Sequence, residues 1–149
     1  MATLTPTLTL ASTDVFANQA ISMSVTDSLT VTAPMTDISR MATDDNIGNG
    51  AGVIIGEDTN QYFVYVKHLG LLASDGTTAS HATNDFITLT NEDGTATALV
   101  PKLQPGEFAF FPMKEGDGGS SGTGDGGLKV VAASAAVMIE FGYWKRDTT

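Results

Sequence analysis

Gln61-Tyr62-Phe63-Val64-Tyr65-Val66-Lys67-His68-Leu69 is the stretch that decides the fold class. It is built from β-branched and aromatic residues, which suit a pleated surface. Side chains alternate faces along a strand. Phe63 and Tyr65 therefore share one face, and Tyr62, Val64, Val66 and His68 share the other. Both faces carry bulk, so the segment is expected to lie in the middle of a sheet rather than at its rim. The stretch from Ala136 to Trp144 has the same character. There Val137, Ile139, Phe141 and Tyr143 form one face, and Met138, Glu140, Gly142 and Trp144 form the other.

Working outward, shorter strands are separated by turn signals. Gly52 to Gly56 is a brief apolar strand, and Glu57-Asp58-Thr59-Asn60 is a turn. Phe86 to Asn91 and Ala96 to Leu103 read as a hairpin across Asn91-Glu92-Asp93-Gly94. Asp75-Gly76 is a second tight-turn dipeptide. Gln104-Pro105-Gly106-Glu107 fits a type II turn, with Pro at the second position and Gly at the third. Phe108 to Met113 follows as an aromatic strand. Residues 116–127 hold 7 Gly in 12 positions and read as a flexible loop. Leu128 to Ala133 is the penultimate strand.

The N-terminal part is Thr-rich. Residues 1–12 read as an extended arm, with Leu4, Leu8 and Leu10 among threonines and Pro6 at a break. Ile21, Met23 and Val25 share a strand face, Thr26-Asp27-Ser28 turns, and Leu29 and Val31 continue. Segments 7–17 and 28–40 look faintly alike, a likeness that Thr-rich strands produce by themselves. Met35 to Gly52 reads as a polar connection. No convincing helix is visible. The expected fold is all-β: an antiparallel β-sandwich or jelly-roll-like domain over residues 20–146, with a weak sub-boundary near residue 50. An extended N-terminal arm over residues 1–19 precedes it, and a tail over 147–149 follows.

Composition narrows the function classes. The chain has 149 residues, enough for one domain with a real core. With 7 Lys plus Arg against 17 Asp plus Glu, the formal net charge is −10. That balance argues against direct nucleic-acid binding and against an anionic membrane surface. Zero cysteine removes disulfides, thiolate metal sites and Cys nucleophiles. The 21 Thr and 10 Ser make much of the polar surface hydroxyl rather than charge. The start shows no basic and apolar leader pattern, and the run from Val130 to Ile139 is too short to span a bilayer. A soluble protein made in the cytoplasm is expected.

Candidate chemistry is sparse. Asp44, Asp45, Asn46 and Asn49 offer oxygen ligands for calcium, but the EF-hand spacing fails and a solvated loop is the simpler reading. The Gly/Asp stretch 116–127 lacks the apolar positions of a calcium-binding β-roll. It also lacks the Gly-Lys-Ser/Thr of a phosphate cradle. His68 and His81 are the only histidines. A triad would pair one of them with Asp75 or Asp85 and use Ser74 or Ser80, yet no nucleophile elbow accompanies them. His68 is expected to end its strand and His81 to sit in a polar loop. Glu107 and Glu140 are the acids beside strong strands. Glu107 reads as a turn residue, and Glu140 as an edge residue partnered by Lys129 or Arg146. Phe108, Phe110, Phe111, Phe141, Tyr143 and Trp144 read as core plus subunit interface, with Lys145 and Arg146 as its rim. A sugar platform using Trp144 and Tyr143 is the rival. No catalytic role, cofactor or metal is expected.

One resemblance goes further. It is carried by Gln61-Tyr62-Phe63-Val64-Tyr65-Val66-Lys67, Phe86-Ile87-Thr88-Leu89, the run Leu103 to Pro112 around Gln104-Pro105-Gly106-Glu107, Leu128 to Ala133, and Val137 to Gly142. Over about residues 52–146 this pattern resembles small structural proteins of tailed-phage virions. The resemblance implies a capsid decoration (cement) protein, with fibre, neck or tail components as alternatives. It implies the major capsid protein and further copies of the chain, as a homotrimer, as partners on the capsid exterior. On that view residues 1–32, with Leu4, Leu8, Leu10, Ile21, Met23 and Val25, are the capsid or inter-subunit contact. An arm of this kind can add a strand to a neighbour's edge.

Overall fold

The computed structural model describes residues 2–16, 19–35, 37–45, 51–56, 60–80, 84–90, 100–113 and 127–147. Twelve strands follow one another: β1 (Ala2–Leu4), β2 (Thr7–Phe16), β3 (Gln19–Thr26), β4 (Leu29–Met35), β5 (Ser39–Ala42), β6 (Val53–Ile55), β7 (Tyr62–Leu72), β8 (Ile87–Thr90), β9 (Val100–Leu103), β10 (Phe108–Met113), β11 (Leu128–Ala132) and β12 (Val137–Arg146). No helix occurs among the described residues, so none is long and apolar enough to cross a membrane.

The strands form an antiparallel β-sandwich. One sheet runs β1-β4-β12-β7-β10, with β5 on the same side of β12 as β4. β4 takes the Trp144–Arg146 end of β12 and β5 the Met138–Phe141 end. The facing sheet runs β6-β11-β8-β9. β7 and β12, the two segments with bulk on both faces, lie side by side at the centre of the larger sheet, as their patterns require. β10 flanks β7 in register, Phe108 opposite Lys67 through Met113 opposite Tyr62.

The core sits between the sheets. Tyr62, Val64 and Val66 from β7 and Ile139 and Phe141 from β12 meet Ile87 and Leu89 from β8 and Leu128 and Val130 from β11. Ala109, Phe111 and Tyr143 pack against that cluster. The turn Gln104-Pro105-Gly106-Glu107 forms as its residues dictate. Glu107 N–H donates to Gln104 O at 2.9 Å, and Gly106 takes φ of +90°. The Glu107 carboxylate accepts the Gln104 N–H at 2.7 Å, which fixes Glu107 as a turn residue.

Four expectations take a different form. Residues 2–4 are not a free arm: they pair with β4 inside the large sheet. The unit that leaves the sandwich is the hairpin β2–β3, so a boundary at residue 19 falls at its tip. The Met35–Gly52 connection contains β5, whose Met41 is buried in the core. Ser39-Arg40-Met41-Ala42 is too short and too mixed to show alternation by itself. His68 does not end its strand but stands in mid-strand, fully buried. The expected turn Asn91-Glu92-Asp93-Gly94 and the first part of the expected Ala96–Leu103 strand, the turn residues Glu57-Asp58-Thr59, His81 and nearly all of the Gly-rich stretch lie outside the described residues.

The Asp75-Gly76 turn forms as expected, and it titrates. The Thr78 hydroxyl donates to Asp75 Oδ2, and the Thr78 and Thr77 amides donate to Oδ1. These bonds, the Thr78 hydroxyl foremost, hold the Asp75 carboxyl at about 2, against the usual 3.8. A depressed carboxyl contributes to the turn above its unfolded value, and the contribution is lost as pH falls through the folded value. The Thr77 and Thr78 amide NMR shifts are therefore expected to titrate with a midpoint near about pH 2, and Asp75→Asn to abolish the step. A midpoint near 4 would show that the turn does not hold the carboxylate.

Candidate interaction surface

β1–β4 and β2–β3 are one long antiparallel pair. Ala2 opposes Val31, Leu4 opposes Leu29, Thr7 opposes Thr26 and Leu10 opposes Met23, so the register is the same on both sides of Pro6. At the neck, Asp27 N–H donates to Pro6 O at 3.1 Å. Beyond it the ribbon pairs with no other strand among the described residues. Cross-strand partners share a face. Thr7 with Thr26, and Thr9 with Ser24, make a hydroxyl face, joined by side-chain hydrogen bonds of 3.0 and 3.5 Å. Leu8 with Val25, and Leu10 with Met23, make an apolar face. Those four side chains are 42–52 % exposed. Ile21 opposes Ser12, which continues the same row in register. Leu4 is half-buried beside Leu29 at the base.

The outer face of the large sheet is aromatic. Phe63, Tyr65, Phe108, Phe110 and Trp144 stand on it, while Phe111, Phe141 and Tyr143 point into the core. Phe110 stacks on Phe63, with ring centroids 6.3 Å apart. The Arg146 guanidinium lies 5.0 Å from the Phe63 ring centre and reaches it from the other flanking strand. Phe108 tilts against Tyr65 with centroids 6.4 Å apart. Gly142 leaves room for the indole: a Cβ there would lie 3.0 Å from Trp144 Cη2. Phe108 and Ile38 remain 57 % and 58 % exposed. A groove of about 270 Å³ joins this face to the ribbon, lined by Pro6, Leu8, Val25, Phe63, Phe110 and Pro112 among others. The apolar row of the ribbon thus runs into the aromatic face of the sheet.

The polar groups on this face are interlocked. Arg40 Nε donates to Glu140 Oε2 at 3.2 Å, and the Tyr65 hydroxyl donates to Glu140 Oε1 at 3.1 Å. Burial, and then the Glu140 carboxylate, push the Tyr65 phenol up from its ordinary value. Arg40, and not Lys129 or Arg146, is thus the ion-pair partner of Glu140. An acid engaged by two donors serves as a clamp between β5, β7 and β12.

The candidate chemistry is placed as follows. His68 Nδ1 accepts the Gly70 N–H at 2.9 Å. Its Nε2 therefore carries the proton and donates to the main-chain oxygen of Asp85 at 2.5 Å. The Asp85 carboxylate is engaged by the Ser134 hydroxyl at 2.5 Å. The serine beside Asp85 is therefore Ser134, not Ser74 or Ser80; no serine–histidine hydrogen bond of the kind a triad needs occurs among the described residues, and the His68 ring is sealed from solvent. Asp45 Oδ2 accepts the Ala42 N–H at 2.8 Å, and Asn46 and Asn49 lie outside the described residues. No group of three metal-ligating side chains occurs among the described residues. Tyr143 meets Tyr62 edge-on inside the sandwich at 5.6 Å, whereas Trp144 is outside, so these two rings do not form one platform.

Comparison with protein-family models, with curated proteins and with solved structures finds no match.

Proposed function

We propose that this chain is a structural protein of a tailed-phage particle, a decoration (cement) protein that coats the outer capsid surface as a homo-oligomer, most simply a trimer. One observation carries the reading: a sandwich with its own core sends out a ribbon with a single ionisable side chain, Asp14, whose row of Leu8, Leu10, Met23 and Val25 stays 42–52 % exposed among the described residues. Apolar surface of that kind marks a contact with another macromolecule. The resemblance of residues 52–146 to virion proteins supplies the class of partner. The net charge of −10 suits a coat that must stay soluble at high surface density. Many modest contacts, linked through an oligomer, hold by multivalency.

The test is the copy number of the chain in purified particles, measured by quantitative mass spectrometry against the major shell protein. Hundreds of copies in simple ratio to the shell protein are expected. A handful, in multiples of three, five, six or twelve, would move the chain to a neck, vertex or fibre. Absence from particles would overturn the virion reading.

A further inference from the structure

We propose that the apolar face of the β2–β3 ribbon docks on the aromatic outer face of a second copy of this chain, each copy donating one ribbon and receiving one. This deepens the homo-oligomer part of the proposed reading and rests on that part alone, not on the particle.

Three observations single out a second copy as the occupant. The first is placement. Leu8 and Val25 of the ribbon share a groove with Phe63, Phe110 and Pro112 of the sheet, so both apolar surfaces open to the same side. A copy turned about a symmetry axis then presents ribbon to face where it also presents face to ribbon, which closes the assembly.

The second is charge. The molecule carries −10, so two copies repel through most of their surface. The segment 7–26 has one ionisable side chain, Asp14. The outer face holds Arg40, Lys67 and Arg146, three of the seven basic residues, against Glu140 and Asp27. Contact through these two surfaces brings few like charges together.

The third is area. Strands of 10 and 8 residues make a ribbon ~30 Å long and ~10 Å wide, from the usual rise and spacing of strands. One docked ribbon then buries ~300 Å² on each partner, or ~600 Å² in all, which is crystal-contact size. Exchange within a pair doubles this to ~1,200 Å² at one interface, where specific interfaces begin, whereas a ring of three keeps ~600 Å² at each contact and holds only by closing all three at once. The geometry therefore favours reciprocal exchange over one-sided docking.

The cysteine-free sequence makes the test clean. Light scattering on the purified full-length chain should give two or three times 15.5 kDa. The double variant Leu10→Asp/Met23→Asp and the single variant Phe108→Asp should each fall to monomer mass. Their circular dichroism should be unchanged, because these side chains are exposed in the single chain, and their melting temperature should lose the protein-concentration dependence that the native oligomer shows. Leu10→Cys and Phe108→Cys chains, one isotopically labelled, should then be mixed and oxidised. The mixed disulfide should exceed both like-with-like disulfides by several-fold. A monomeric native chain overturns the proposal. So does a multimer that survives both aspartate variants, or one cross-linked only Leu10→Cys to Leu10→Cys. Neither result bears on particle copy number, so this proposal and the virion reading can fail separately.

Discussion

Replacing His68 by alanine is expected to lower the unfolding free energy by about 3–5 kcal/mol, a large share of the roughly 5–15 kcal/mol typical of a domain. Three losses combine. The ring is fully buried, so its removal leaves a cavity between the sheets. The Asp85 carbonyl loses its donor and the Gly70 N–H loses its acceptor. Orphaning the buried Asp85 carbonyl costs about 1–3 kcal/mol, and the part-buried Gly70 N–H adds less. His68→Phe keeps the volume and removes both hydrogen bonds, so it should recover the cavity part alone and fall between native and alanine. Denaturant unfolding followed by the fluorescence of the single tryptophan, Trp144, measures all three proteins. An alanine variant within 1 kcal/mol of native would show that the ring does not tie β7 to the segment before β8.

Gly52→Ala is expected to be as damaging, through the backbone. Gly52 has φ of +76°, and a Cβ there would lie 2.2 Å from Val130 O and 3.0 Å from Thr43 O. Both are main-chain atoms and neither can swing aside. Gly52 also accepts the Val130 N–H and donates to Asp45 O, so relieving the clash breaks the approach of β6 to β11. A loss of about 3 kcal/mol or more follows from strain and broken pairing together. Gly76→Ala is the control. Its φ is +64°, but a Cβ would meet nothing within 4 Å, so only the left-handed conformation is penalised, at about 1–2 kcal/mol. Equal losses at the two positions would mean that conformation alone, and not the contact with β11, sets the cost at Gly52.

The two central strands were legible because their residues demand burial on both faces. Tyr62 to Lys67 and Val137 to Trp144 carry bulk at successive positions, and only the middle of a layered sheet satisfies that. The Pro105-Gly106 turn was legible because its residues fix dihedral angles locally. β5 was not, because what makes it a strand is the exposed flank of β12 rather than anything in its four residues. His68 was misplaced for a related reason. A strand's end is visible only when a turn signal follows, and here β7 runs on to Leu72. At the surface, the apolar alternation of the ribbon was legible, as was the division of β12 into two faces. The assignment of Phe111 to the core and of Phe108 and Phe110 to the outside was not. It depends on which face of β10 the second sheet covers, a relation between elements far apart in the chain. The Arg40–Glu140 partnership spans 100 positions and has the same origin.

The unbroken register through the neck makes the ribbon a spacer whose length is adjustable in fixed steps. Residues on the two legs oppose each other in constant order from Ala2 and Val31 out to Ser12 and Ile21. Removing Thr9 and Leu10 from one leg and Met23 and Ser24 from the other would shorten the reach by ~7 Å, two residues of rise, and return every remaining side chain to the face it had. Removing one residue from each leg would turn the outer half over, hydroxyls where the leucines were. A lineage that needed to grip a thicker or thinner neighbour could therefore retune its span by paired insertions of two, without touching the fold that holds the base.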